Sequence, residues 1–158
     1  MPDLYYLVGA PASGKSTYAK ELQKEGIKLV SSDDIRETLW GDASIQKNPK
    51  EVFKQMEILT HLYLAQEESV VYDATNISAA RRKEFIKLIR SWNLDVDLYC
   101  LYFDIPIEVC IERNQERERK VPTYVIERMF KKMEEPTYEE GWDFIGVLTL
   151  RGEENETE

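Results

Sequence analysis

Nine residues near the start of the chain, Gly9-Ala10-Pro11-Ala12-Ser13-Gly14-Lys15-Ser16-Thr17, constrain it more than any other feature. They match the pattern Gly-x-x-x-x-Gly-Lys-Ser/Thr. They lie between a continuous apolar run, Leu4–Val8, and a helix-length segment, 15–25. Each residue type has a physical reason. Glycines let a loop wrap closely around phosphate oxygens with backbone N–H groups turned inward. A helix that starts at Lys15 offers its N-terminus as an anion site. The Lys15 ammonium is long enough to reach β- and γ-phosphates, and the Ser16 hydroxyl suits Mg²⁺. Gly9, Ala12, Ser13, Gly14, Lys15, Ser16 and Thr17 are therefore the candidate nucleotide-binding residues. The donor is ATP or GTP, since no base-reading motif is legible.

The remainder alternates short apolar strands with helix-length segments, which predicts a parallel sheet flanked by helices. After the first strand come strands at 28–31, 69–72, 96–103 and 144–150. Pro49, Pro106 and Pro122 are placed to open helices, and Ser78 to cap one. The 158 residues fit one domain. Residues 1–150 are expected to form it, with 151–158 as an acidic tail. The expected fold is a three-layer α/β P-loop kinase fold. Its sheet has five mainly parallel strands in the order 2-3-1-4-5, because a carboxylate at the third strand's end must stand beside the phosphate loop to reach Mg²⁺.

In such a sheet, ligands gather at the carboxyl ends of the strands. The second strand ends in Ser31-Ser32-Asp33-Asp34-Ile35-Arg36. One carboxylate there is suited to accept a proton from an acceptor hydroxyl, while Ser-Ser-Asp-Asp is good helix-capping chemistry. Both readings hold together if Asp33 faces the cleft and Asp34 caps or pairs at the helix start. The third strand ends in Tyr72-Asp73-Ala74-Thr75-Asn76. Asp73 there is a metal candidate beside Ser16, although Asp, Thr and Asn also favour turns. Beyond the fourth strand lies Arg113-Asn114-Gln115-Glu116-Arg117-Glu118-Arg119-Lys120. It is either an Arg-bearing lid that offsets phosphoryl charge or a salt-bridged helix face. Arg113 and Arg117, four apart, are expected to share one face. His61, the single histidine, reads as structural and excludes a His-based triad or metal cluster.

With these clusters in view, the chain resembles the polynucleotide 5′-kinase family, the kinase domain of phage-type 5′-kinase/3′-phosphatases and bacterial end-healing enzymes. The resemblance runs from about Leu4 to Met133. It implies an enzyme transferring the γ-phosphate of an NTP to the 5′-hydroxyl of a DNA or RNA end, with Mg²⁺. It further implies Asp33 as general base, Lys15 and Ser16 on phosphates and metal, and Asp73 as the strand-end carboxylate. Arg36 is implied on an acceptor phosphate, Thr75 at the acceptor site and Arg117 on the donor phosphates. From the same clusters, Asn76 joins as a substrate-binding candidate and Arg113 as a donor-binding one. On this reading Arg117 outranks Arg119. Ala12 stands where a Gly is common in the family's loop. Partner end-healing enzymes acting in trans are implied too. P-loop kinases for small molecules or tRNA-linked substrates, and zeta-type toxins, share much of this layout and are the alternatives.

The net charge of −9 argues against nucleic acid only until its distribution is considered. Residues 134–158 hold nine acids and one base, so the rest is near neutral and leaves room for a local basic funnel. No apolar run reaches the ~18 residues of a membrane span, and no basic-then-apolar leader opens the chain, which reads as cytoplasmic. Cys100 and Cys110 lack metal-ligand spacing and read as free thiols.

Overall fold

The computed structural model describes residues 1–155. Its elements follow the chain as β1 (Asp3–Val8), α1 (Lys15–Lys24), β2 (Lys28–Ser31), α2 (Ser32–Trp40), α3 (Pro49–Ala65), β3 (Val70–Asp73), α4 (Ala79–Ser91), β4 (Asp97–Phe103), α5 (Ile107–Gln115), α6 (Thr123–Lys132), β5 (Phe144–Thr149) and β6 (Gly152–Asn155). The first five strands are parallel in the order β2-β3-β1-β4-β5, as expected. A sixth, β6, adds to β5 antiparallel and lies in the stretch expected to be tail. A tight turn at residues 150–151 lets the chain fold back, with Gly152 at φ 121. Only glycine adopts that φ without strain.

The central strand shows why the layers form. Side chains alternate across a strand. Leu4, Tyr6 and Val8 enter one core together with Ile35, Met56 and Ile89 of α2, α3 and α4. Leu7 enters the other, with Ala19, Cys110 and Ile126 of α1, α5 and α6. The sheet is thus covered on both faces, which accounts for apolar runs instead of alternation in β1 and β3. Both cysteines are buried, and neither forms a disulfide among the described residues. Among the described residues no helix is long and apolar enough to cross a membrane.

Part of the acidic segment after Lys132 is built into the interior. Arg82 and Glu140 form a fully buried bidentate pair, Nε–Oε1 2.7 Å and Nη2–Oε2 2.9 Å. Arg82 also donates to the carbonyls of Asn76 and Glu134, and the Trp142 indole donates to Glu140 Oε1. Asp143 accepts from the Leu98 N–H at 2.7 Å and from Arg90. These carboxylates act as internal braces, which their acidic sequence context conceals.

Candidate active site

Parallel pairing sets the site. Leu7 is level with Asp73, and Asp73 with Ser31, so β1, β3 and β2 end together. The loop 9–14, the Asp73 end and the start of α2 then face one cleft of about 1170 Å³.

The phosphate loop is tight. A side chain on Gly9 would meet Ser13 Oγ at 2.8 Å and Phe103 Cβ at 3.0 Å, so only glycine fits. Gly9 thus serves beneath the cleft wall, while residues 11–18 line it. Ala12 has φ 64, a left-handed conformation. That explains why glycine is common at this place and implies strain here. Gly14, at φ 103, precedes α1 without any side-chain cap, whereas α2 and α4 are capped by Ser31 and Ser78. An uncapped helix start at the cleft leaves N–H donors for an anion. The Ser13 hydroxyl is buried without a hydrogen-bond partner among the described residues.

Lys15 is buried, its ammonium donating to the Ala10 carbonyl at 3.1 Å. Burial pushes it below its usual range, even though Asp73 and Asp33 pull it upward. Asp73 mirrors this. Burial pushes its carboxyl above the usual range, and neither Lys15 nor the hydrogen bond from Ser16 reverses that. Ser16 Oγ donates to Asp73 Oδ2 at 3.3 Å. A hydroxyl and a carboxylate this close are the hard oxygen donors that Mg²⁺ takes alongside phosphate oxygens. The buried, electrostatically penalised charges fit such an ion and a polyphosphate. Among the described residues no cluster of three or more His, Cys, Asp or Glu forms a metal site without a ligand's help.

At the start of α2, the expected division of labour between two aspartates is only half met. Asp33 lines the cleft and Asp34 is exposed away from it. The cap, however, is Ser31, whose Oγ accepts the Asp34 N–H at 3.3 Å. Asp33 Oδ1 lies 3.4 Å from Arg36 Nη1 and Oδ2 lies 2.8 Å from Arg119 Nη2. Arg36 is nearly buried on the cleft, with Nε lacking a partner among the described residues. Thr75 lines the cleft. Asn76 does not. Its amide donates to the Leu7 carbonyl at 2.7 Å from a left-handed backbone, so it clips the turn to β1 beside the cleft instead of lining it. Arg81 takes its place on the cleft, while its neighbour Arg82 is structural.

The lid is a loop. Helix α5 stops at Gln115, so Arg113 and Arg117 do not share a helix face. Both still line the cleft, and Arg117 Nη1 is buried without a partner among the described residues. The loop is closed at its base by Asn114, which donates to the Val121 carbonyl at 2.7 Å and accepts the Val121 N–H at 3.1 Å. The strong helix formers around residue 116 hide this turn from propensity arguments. No ion pair of Glu112, Glu116 or Glu118 occurs among the described residues, so the salt-bridged-face alternative is absent. Sequence reasoning ranked Arg119 below Arg117 and gave it no partner, since that partner, Asp33, is 86 positions away, and it missed Tyr124 and Arg128, which also line the cleft.

Comparisons with known proteins agree with this architecture. A family model described as AAA domain matches residues 4–136. The L-seryl-tRNA(Sec) kinase of Methanococcus maripaludis is 28% identical over 157 residues, covering 91% of this chain and 57% of that protein. The chain spans about half the length of the curated relatives it matches. A chain in the structure of the Pnkp1/Rnl/Hen1 RNA repair complex is 26% identical and superposes with a TM-score of 0.69, over 83% of this chain and 43% of that one. A putative kinase from Chloroflexus aurantiacus j-10-fl gives a TM-score of 0.73 at 17% identity, over 94% and 84%, a likeness of fold.

Proposed function

The chain belongs to the AAA domain family in its P-loop kinase form, and from that premise we propose that it transfers the γ-phosphate of an NTP to a hydroxyl on a nucleic acid, foremost the 5′-hydroxyl of a DNA or RNA end. One observation carries the reading: eight cationic side chains and three carboxylates line the cleft of a chain whose net charge is −9. A triphosphate alone does not need so many, and an acceptor that brings its own phosphates does. The similarity to a chain of the RNA repair complex supports this acceptor and, with it, work beside other end-healing enzymes.

The proposed division of labour follows the geometry. The loop N–H groups, Lys15 and the lid arginines Arg113 and Arg117 hold the donor phosphates. Ser16 and Asp73 hold Mg²⁺, which when bound neutralises developing charge on the phosphates. Arg36 and Arg81 face an acceptor phosphate, with Thr75 beside them. Asp33 accepts the hydroxyl proton as the acceptor oxygen bonds to the γ-phosphorus and the bond to the donor's bridging oxygen breaks. The likeness to L-seryl-tRNA(Sec) kinase favours a second reading, in which the hydroxyl belongs to a seryl group on tRNA. The test is label transfer from γ-labelled ATP and GTP to 5′-OH oligonucleotides, seryl-tRNA and a panel of sugars and nucleosides. Label on oligonucleotides upholds the first reading, and label on seryl-tRNA alone the second. Label only on metabolites overturns both.

A further inference from the structure

Arg119 lies outside every role assigned above, yet it makes the shortest polar contact to Asp33. Its Nη2 is 2.8 Å from Asp33 Oδ2, against 3.4 Å between Arg36 Nη1 and Asp33 Oδ1. The first contact crosses the cleft from the lid loop to the start of α2, and the second stays within α2. Arg36 is in addition the residue assigned to an acceptor phosphate. An arriving anion draws it off the carboxylate and leaves Asp33 a single guanidinium partner. Both Asp33 and Arg119 remain partly open to solvent, so an incoming hydroxyl can reach the carboxylate while the pair persists. A carboxylate has about four lone-pair sites, so one bond to Arg119 leaves room for the acceptor's O–H.

We propose that Arg119 is a positioning residue: from the lid it holds the Asp33 carboxylate toward the acceptor hydroxyl, tying closure over the donor phosphates to placement of the base. This rests on the kinase reading, in which Asp33 takes the proton. The lid sequence supplies the coupling. Arg117, two residues before Arg119, lines the cleft near enough to Lys15 to act on its charge, and Asn114 fixes the loop's base to Val121. A donor that orders Arg117 thereby orders Arg119 and the base.

The experiment combines Arg119→Ala, Arg119→Lys, Asp33→Asn and the double variant Asp33→Asn/Arg119→Ala. Turnover and donor KM are measured on the accepted hydroxyl substrate, and amide exchange of residues 116–121 on the nucleotide-free protein. Misplacing a reacting group costs up to about 10²-fold, so Arg119→Ala should lower kcat by about 10- to 100-fold, with donor KM raised far less than kcat falls. Arg119→Lys should recover most of that loss. In the Asp33→Asn background, removing Arg119 should cost nothing more, because the two act as a unit. Asp33→Asn and Arg119→Ala should quicken lid exchange alike. Multiplicative losses in the double variant, or lid exchange unmoved by Asp33→Asn, overturn the proposal. So does full turnover in Arg119→Ala beside a dead Asp33→Asn, and that outcome leaves the kinase reading intact. Full turnover in Asp33→Asn removes the general-base reading itself, and the proposal with it.

Discussion

At Asp73 two effects compete, and burial wins. The carboxyl is 7% exposed and titrates above the usual range, although Lys15 and Ser16 both favour its charge. The sign of the linkage follows. The folded state binds this proton more tightly than the unfolded chain, whose carboxyl titrates near ~3.9. That contribution to stability is complete below the unfolded value and is lost as pH rises through the folded one. Asp73→Asn should therefore melt higher than the wild type at neutral pH in ligand-free protein, with the gap closing toward pH 4, while transfer is lost. Melting curves across pH check this. Asp33→Asn should cut turnover by about 10²–10⁴ with NTP affinity little changed. Asp34→Asn, exposed and not the cap, should change stability by less than about 0.5 kcal/mol. Steady-state rates and urea midpoints for both variants decide. Ala12 carries strain of about 1–2 kcal/mol that glycine relieves at an entropic cost of about 0.5–1 kcal/mol. Ala12→Gly is thus expected to raise the urea midpoint modestly.

Among the elements, the lid loop owes its shape to one amide. Asn114 is buried and makes two hydrogen bonds to Val121, and Asn114→Ala leaves the Val121 N–H and C=O without partners. Each orphaned group costs about 1–3 kcal/mol, but the loss is local. The expected result is faster amide exchange at 116–121 and a raised donor KM, with a melting temperature that falls less than a core cavity would make it fall. Arg117→Ala, which removes the guanidinium whose Nη1 is buried in the cleft wall and which is proposed to bind the donor, should reduce kcat by about 10³–10⁵. Rapid-mix single-turnover rates would separate that from a binding defect. Comparable small losses on Arg117→Ala and on a change at exposed Glu118 would mean the loop is no lid.

For the whole molecule, the Arg82–Glu140 pair joins the start of α4, the turn after β3 and the segment before β5. Removing one partner of a buried pair leaves an uncompensated charge and costs about 3–5 kcal/mol. Arg82→Met should lower global stability by that order in chemical denaturation, and Arg82→Met/Glu140→Leu should recover much of it. Because Arg82 also holds the Asn76 carbonyl, the single variant should weaken the acceptor side more than the donor side, which acceptor and donor KM values report.

The phosphate loop, the strand order and the carboxylate at the end of β3 were all legible in the sequence, for a common reason. The loop and the carboxylate are each encoded within about ten consecutive residues, by glycines, apolar runs and a terminal polar residue, and the order follows from them because the carboxylate must stand beside the loop. Pro49 and Ser78 likewise marked their helix starts locally. The pairings were not legible. Arg119 meets Asp33 across 86 positions, Arg82 meets Glu140 across 58, and Asn114 stops a helix that its neighbours would extend. In each case a charged or amide side chain looks like any solvated one until the fold brings its partner to it, and for Arg82, Glu140 and Asn114 packing also removes the water. Local chemistry in the sequence determined the cradle and its fold, while the tertiary structure decided which arginine braces, which binds and which reaches the base. Only there does desolvation distinguish otherwise equivalent charges.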